Sequence, residues 1–402
     1  MTSQNNTQRI EIIDALRGFA LAGIVFAHML ENFVASPIPQ SAIEAMSPGF
    51  IDQLADGIVA FFLRGKFFAL FSFLFGLSFF IQMDNGAQRG GNFAPRFLWR
   101  LVLLFAIGFV HSMFYRGDIL TLYAVLGIFL IPFFKVGNKW IVALAALLFL
   151  GVGRYVVFFL TQGNGLFISE ELTPDSPMVA AYFELLQNGS LSEVMASNAI
   201  EGNINKAEFQ FGTFSRGYLT FAFFLLGLCM GRTQFFKNYA TEKKFTQNLW
   251  VGGLIVFAVA VIGMIAIFAS MGPNVDFKSW PAMIGLTFFD LMNLGMTVLI
   301  VAFFVIFYKK AKGQRWLAKF IPYGKMALTN YVAQSILGTF IFFGWGLGYL
   351  AEIPQRYVFL MAIFVVAVQM WLSALWLKHF RYGPLEWLWR SLTFFKRFPL
   401  KS

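Results

Sequence analysis

Apolar windows of about twenty residues recur along this chain almost from end to end, and that is the length at which an α-helix crosses a bilayer. Backbone groups in hydrocarbon must find partners within their own segment, so a chain patterned this way is all-α. Ten windows stand out, at 15–34, 66–83, 100–115, 119–135, 140–160, 215–232, 249–270, 281–308, 326–348 and 356–378. The expected fold is a polytopic transmembrane helical bundle of about ten spans. Composition agrees: 58% of the 402 residues are apolar and only 13% charged, whereas a soluble domain is nearer a quarter charged. The stretch 50–64, just before the second window, reads as a short helix lying at the surface.

Lys and Arg placement sets the orientation. With the N-terminus in the cytoplasm, segments 1–17, 84–100, 135–139, 232–247, 309–325 and 378–402 hold 23 of the 31 basic residues. The positive-inside rule then puts both termini in the cytoplasm, which requires an even number of spans. The same loops account for the net charge of +11, so no nucleic-acid partner is implied. The first segment, with Arg9 and Arg17 before an apolar run, resembles a signal peptide. Its His28, Glu31 and Asn32 stand where a cleavage region needs small residues, so an uncleaved span is expected. The basic, aromatic tail 379–402 reads as an interfacial helix.

The longest connection, 161–213, falls outside and carries Glu170, Glu171, Asp175, Glu184, Glu193, Glu201 and Glu208 against Lys206. It either covers the mouth of a cavity or is a solvated linker. Cys229 is the one cysteine, so no intramolecular disulfide can form. No local His/Cys ligand spacing, nucleotide loop, serine elbow or zinc motif occurs, and neither a metal nor a permanently bound cofactor is expected.

Polar residues inside the apolar windows are the candidates for chemistry, because a charge at bilayer depth is costly unless it faces a protein interior or a wet cavity. Arg17 and His28 stand eleven positions apart in the first window, which on a helix is about 16.5 Å of rise on nearly one face. Asp14 and Glu31 fall close to that stripe. His111 and Asp118 close a second cluster around Gly117, which supplies a tight turn. A His beside a carboxylate suits general acid–base chemistry. Alternatively, Asp118 caps the following helix and His111 is a satisfied structural residue. In this topology His28 and His111 approach the same depth.

Arg89, Arg96 and Arg100 crowd the entrance to the third window, as phosphate ligands or as cytoplasmic anchors. Asp290, Asn293 and Thr297 share a face of the eighth window, and Asp290 needs a partner there such as Arg154 or a backbone group. Thr329, Asn330, Gln334 and Ser335 open the ninth window and read as interhelical hydrogen-bonding groups. The glycines and phenylalanines of 65–80 read as close helix packing.

Five segments carry a family resemblance: IDALRGFALAGI, KFFALFSFLFGLSFF, HSMFYRGDILTLYAVLG, GKMALTNYVAQSILGTFIF and FRYGPLEWLWRSLTF. They resemble the YeiB-type bacterial inner-membrane proteins, and the last two resemble domain of unknown function 418, over about 228–398. The N-terminal half is similar to heparan-α-glucosaminide N-acetyltransferase and, more distantly, to the acyltransferase-3 membrane enzymes. That resemblance implies two regions, 1–227 and 228–402. In the acyltransferase-3 enzymes an Arg and a His with ten residues between them in the first span are the implicated pair, and Arg17 and His28 match it. The chain departs from the YeiB pattern at His28, where that pattern often has Asn. Either His28 is the base, or that position needs only a hydrogen-bonding side chain and His111 does the chemistry.

The implied activity is acyl transfer across a bacterial inner membrane, from cytoplasmic acyl-CoA to an acceptor at the outer face. His28, His111 and Asp118 would be catalytic, and Arg17, Arg96, Arg100, Asp14 and Asn330 would bind substrate. The expected partners are membrane lipids, acyl-CoA and a glycan or lipid-linked acceptor, with a homodimer left open. The competing expectation is a transporter or lipid-handling protein centred on Asp290 and Asn293, without covalent chemistry.

Overall fold

In the computed structural model the described residues are 10–168, 173–272 and 275–401. Arg9, Glu170 and Glu171, three of the charges named above, lie outside them. Among the described residues there is no strand, only an isolated bridge between Phe380 and Lys401.

The first half comprises α1 (Glu11–Leu30), α2 (Gln40–Met46), α3 (Phe50–Phe62), α4 (Lys66–Gln88), α5 (Ala94–Phe114) and α6 (Leu120–Leu130). These are followed by α7 (Asn138–Phe149), α8 (Val152–Thr161), α9 (Pro177–Asn188), α10 (Leu191–Ser197) and α11 (Asn203–Phe211). Next come α12 (Arg216–Arg232), α13 (Phe235–Asn238), α14 (Lys243–Ser270), α15 (Trp280–Tyr308) and α16 (Ala311–Leu317). The chain ends with α17 (Ile321–Lys325), α18 (Ala327–Phe342), α19 (Gln355–His379) and α20 (Pro384–Phe394).

Six stretches are long and apolar enough to cross a membrane: α1, the run Phe50–Gln88, α5, α14, α15 and α19. The pair α7 and α8, bent by 48°, and the run Leu191–Phe211 with α12, bent by 63°, raise the number to eight if each is one span. This is a multi-pass membrane protein. Every one of the ten apolar windows is helical, but α6 has 11 residues and α18 has 16, short of a full crossing. Apolar continuity runs to residue 348, yet α18 stops at Phe342. The backbone beyond it turns through left-handed conformations at Gly348 and Ala351.

Helix α1 is the core of the bundle. Its span is 72% buried, against 11% for α14, which pairs with α15 at the periphery. Ala15, Gly18, Ala20, Ala22 and Gly23 give α1 a small-residue surface, and α4, α17, α18 and α19 pack closely around it. The glycine-rich start of α4 packs as expected, with Gly76 against the Phe224 carbonyl of α12.

The segment 161–213 is largely helical. Helix α10 opens with a capping box between Ser190 and Glu193, and α10 and the turn after it lie against α5. At the other end of the bundle, α20 docks through one carboxylate. Glu386 accepts hydrogen bonds from the Leu328 amide (2.7 Å), the Thr329 amide (3.1 Å) and the Thr329 hydroxyl (2.6 Å). It thereby caps α18 across 57 residues of sequence. Glu386→Ala is expected to cost about 1–3 kcal/mol by stranding those donors. Thermal unfolding in nanodiscs, with Glu386→Gln recovering part of the loss, checks it.

Candidate functional site

The last turn of α5 and the first turn of α6 are joined by Tyr115–Ile119, and that corner builds the site. His111 Nδ1 lies 2.8 Å from Asp118 Oδ1, with both side chains buried. Asp118 also accepts from the Leu120 amide (3.2 Å), the Thr121 amide (2.9 Å) and the Thr121 hydroxyl (2.7 Å). The carboxylate therefore caps α6 and holds the His111 ring at once. Lys206 of α11 approaches Asp118 to 3.8 Å and donates to the Thr121 hydroxyl at 3.1 Å.

Burial works to raise the Asp118 pKa. The hydrogen bond and charge of His111, the Lys206 ammonium and the Thr121 amide outweigh burial and hold the carboxyl below its ordinary value. A lowered carboxyl pKa contributes stability that is present above the ordinary carboxylate range and lost only as pH falls through the lowered value. Asp118 is thus a carboxylate at neutral pH, and His111 donates its Nδ1–H to it. In a neutral imidazole Nε2 is then the acceptor nitrogen, and Nε2 of His111 is buried without a partner among the described residues.

His28 comes to the same place from α1. Its ring centre is 5.0 Å from Tyr115, 5.5 Å from Phe33 and 6.3 Å from Tyr331. The His111 ring is 5.1 Å from Tyr331 and 6.0 Å from Tyr115. Two tyrosines thus bracket two imidazoles close enough to interact electrostatically. Among the described residues Nδ1 of His28 is also buried without a partner, as are both amide atoms of Gln334, one turn beyond Tyr331 on α18. The Tyr331 hydroxyl accepts from the Ile119 amide at 3.2 Å and so ties α18 to the corner.

Gly117 serves packing more than turning. A Cβ there would collide with the Tyr115 hydroxyl and with Ala35. Gly117→Ala is expected to cost about 1–3 kcal/mol through overpacking. Thermal unfolding checks it, and Tyr115→Phe in the same chain should restore part of the stability.

The segment 161–213 covers this corner. The Arg116 guanidinium lies 3.3 Å over the Tyr182 ring of α9, and its Nε donates to Asn198 at 3.3 Å. Asn198 donates in turn to the Met113 carbonyl at 3.1 Å.

The remaining candidates lie elsewhere. Arg17 is 2.8 Å from Asp14 and donates to Ser78 of α4 at 3.1 Å. Arg96 and Arg100 stack on Phe394 (5.0 Å) and Trp389 (4.0 Å) of α20. Asn330 donates to Ser373 of α19 at 2.9 Å and accepts from Gln369 through its carbonyl, so it works as an interhelical tie. Asp290 is paired with Arg154, as its burial requires. His379 ends α19, apart from the other histidines in sequence. Among the described residues no group of three His, Cys, Asp or Glu side chains could hold a metal ion. Two apolar clefts, of about 330 and 590 Å³, are lined by neither His28 nor His111.

Tyr115, Tyr331, Gln334 and Lys206 complete the site and were not legible as its members from sequence. Lys206 had a signal, as the one basic residue in an acidic segment.

Residues 230–396 match the family described as Protein of unknown function (DUF418). The chain is 25% identical to the uncharacterized protein YeiB of Escherichia coli (strain K12), over 96% of each chain. It is 31% identical to the uncharacterized protein YxaH of Bacillus subtilis (strain 168), over 98% of this chain and 96% of that one. The chain belongs to the YeiB family. A 39.9 kDa protein encoded in the amylase 3' region of Bacillus acidopullulyticus is also similar, at 26% identity over 98% of this chain and 96% of its own. In this YeiB-family protein the DUF418 match contains Asp290, Asn293, Tyr331 and Glu386 but neither His28 nor His111. The two imidazoles come from the part that precedes it.

Proposed function

We propose that the protein is a transmembrane acyltransferase of the bacterial inner membrane, with both termini cytoplasmic and ten helical crossings. The observation that carries this reading is the His111 imidazole, held by Asp118 through Nδ1 and sharing Tyr115 and Tyr331 with His28, with Nε2 of His111 and Nδ1 of His28 both lacking a partner among the described residues. Such an arrangement is built to accept a proton.

In this reading acyl-CoA is the donor and enters from the cytoplasm, where Arg17, Arg96 and Arg100 meet its phosphates. Its thioester arm spans the distance of about 16.5 Å from Arg17 to His28 along α1. The acceptor, a glycan or lipid-linked hydroxyl or amine, reaches the histidines from the side covered by α9 to α11. His111 Nε2 takes the acceptor's proton as its oxygen or nitrogen attacks the thioester carbon. The C–S bond then breaks, and the CoA thiolate recovers the proton from the imidazolium. Residues 1–227 supply the reacting groups and 228–402 closes the site through Tyr331 and Gln334.

The test is turnover of acetyl-CoA by the purified chain in nanodiscs, followed by thiol release and by radiolabel in extracted lipid or glycan. Thiol release that depends on His111 and His28 supports the reading. Turnover unchanged in both alanine variants, or no binding of acyl-CoA at all, sinks it.

A further inference from the structure

A second polar cluster lies where the corner between α3 and α4 meets α12 and α15. Gly65 makes that corner with φ +82°, a conformation side chains resist. A Cβ at Gly65 would press on the Arg216 guanidinium and on the carboxamide oxygen of Asn293. The bare glycine therefore lets Arg216 of α12 and Asn293 of α15 close over this corner, and the three together form a polar cradle.

The charges around it are unequally answered. Arg64 is 2.7 Å from Glu31 and 3.6 Å from Asp56. Lys66 donates to the Ala60 carbonyl at 3.2 Å and lies over the rings of Phe61 and Phe289. Arg154 binds Asp290, the Thr287 hydroxyl and two backbone carbonyls. Arg216 lies over the Phe68 ring at 4.8 Å but makes no hydrogen bond or close ion pair from its side chain among the described residues. Arg64 and Arg216 both repel Lys66. The acids that attract Arg216, Glu31 and Asp290, are already engaged by Arg64 and Arg154. Four cations (Arg64, Lys66, Arg154, Arg216) face three anions (Glu31, Asp56, Asp290), leaving one positive charge over.

Asn293 supplies the independent observation. It is 0% exposed, and neither its amide nitrogen nor its oxygen has a partner among the described residues. A buried carboxamide with both ends empty is rare in a native fold and calls for an occupant. Arg216 offers a planar fork of donors, Asn293 one more donor and an acceptor. Together they fit an oxyanion that carries a neighbouring hydroxyl, and the surplus cation calls for a negative charge.

We infer that Arg216, Asn293 and Lys66 around Gly65 form a binding site for a phosphate ester bearing a hydroxyl. The anion accepts from Arg216 and the Asn293 amide while the hydroxyl donates to the Asn293 carbonyl. Glu31, the ion-pair partner of Arg64, follows His28 by one turn of α1, so the cradle adjoins the imidazoles. Holding the charged part of an acyl acceptor is its role only if the acyltransferase reading above is correct. The binding itself stands apart from that reading.

The experiment uses the full chain in phosphatidylcholine nanodiscs, titrated with sn-glycerol 3-phosphate, inorganic phosphate or glycerol, and a second preparation with phosphatidylglycerol included. Calorimetry and thermal shift are the readouts. Glycerol 3-phosphate or phosphatidylglycerol should bind the wild type. Arg216→Gln and Asn293→Leu should each weaken that binding at least tenfold, while Lys396→Gln leaves it unchanged. Binding of the soluble ester points to a free metabolite, and binding of phosphatidylglycerol alone to a lipid headgroup. The inference is overturned if the wild type binds none of these, if it binds inorganic phosphate and glycerol as well as the ester, or if a folded Arg216→Gln or Asn293→Leu binds like wild type. Absence of thioester turnover would overturn the acyltransferase reading and leave this result intact.

Discussion

His111→Ala is expected to lower thioester turnover by two to four orders of magnitude, about the contribution of a positioned general base. The bound donor should be retained, because the Arg17 side chain that would meet it is held by Asp14 and Ser78, not by the histidine. Loss of rate with unchanged acetyl-CoA affinity therefore separates a chemical role from a structural one. Asp118→Asn sharpens the test. The amide can still accept from Thr121, so α6 keeps its cap. It no longer offers the negative oxygen that fixes the Nδ1–H tautomer of His111. The rate should fall in a folded protein, and lowering the pH should not restore it. His28→Asn distinguishes the two histidines. If His111 is the base, Asn at position 28 keeps a hydrogen-bonding group beside Tyr115 and retains much of the activity. If His28 is the base, that variant is as inactive as His111→Ala.

The helices were legible because a membrane segment advertises itself by apolar continuity, and each of the ten windows is helical. Continuity does not see where a helix stops. Gly348 and Ala351 turn the chain beyond α18, Gly348 still inside the stretch that hydropathy reads as span and Ala351 just past it. The segment 161–213 was illegible as structure for the opposite reason. Its short, polar helices owe their place to Arg116, Asn198 and Lys206, and those contacts link positions about 80 residues apart. His111 and Asp118 could be read together because seven positions with a glycine between them make a corner. Tyr331 and Arg216 could not. Each looks like ordinary interhelical polarity until the fold brings it to another helix.

Arg154→Met is expected to be the most destabilising single change, at about 3–5 kcal/mol. Hydrogen bonds between membrane helices average only about 0.6 kcal/mol, because polar groups find other partners when helices separate. Arg154 is a different case. It is 1% exposed and joins α8 to the carbonyls of Thr213 and Phe214, to Thr287 and to Asp290. Removing it strands a carboxylate and two carbonyls together, with Arg216 as the nearest remaining cation for Asp290. Asp290→Asn should cost far less, since an amide oxygen can still accept from Arg154. The double variant Arg154→Met with Asp290→Leu should recover much of the loss, and thermal unfolding of the four proteins in nanodiscs measures the coupling. The same set decides between the two functional readings. A transporter working through Asp290 would lose its activity in Asp290→Asn while staying folded. An acyltransferase whose Asp290 only clamps helices would keep its rate in that variant and lose it only where the fold itself is lost.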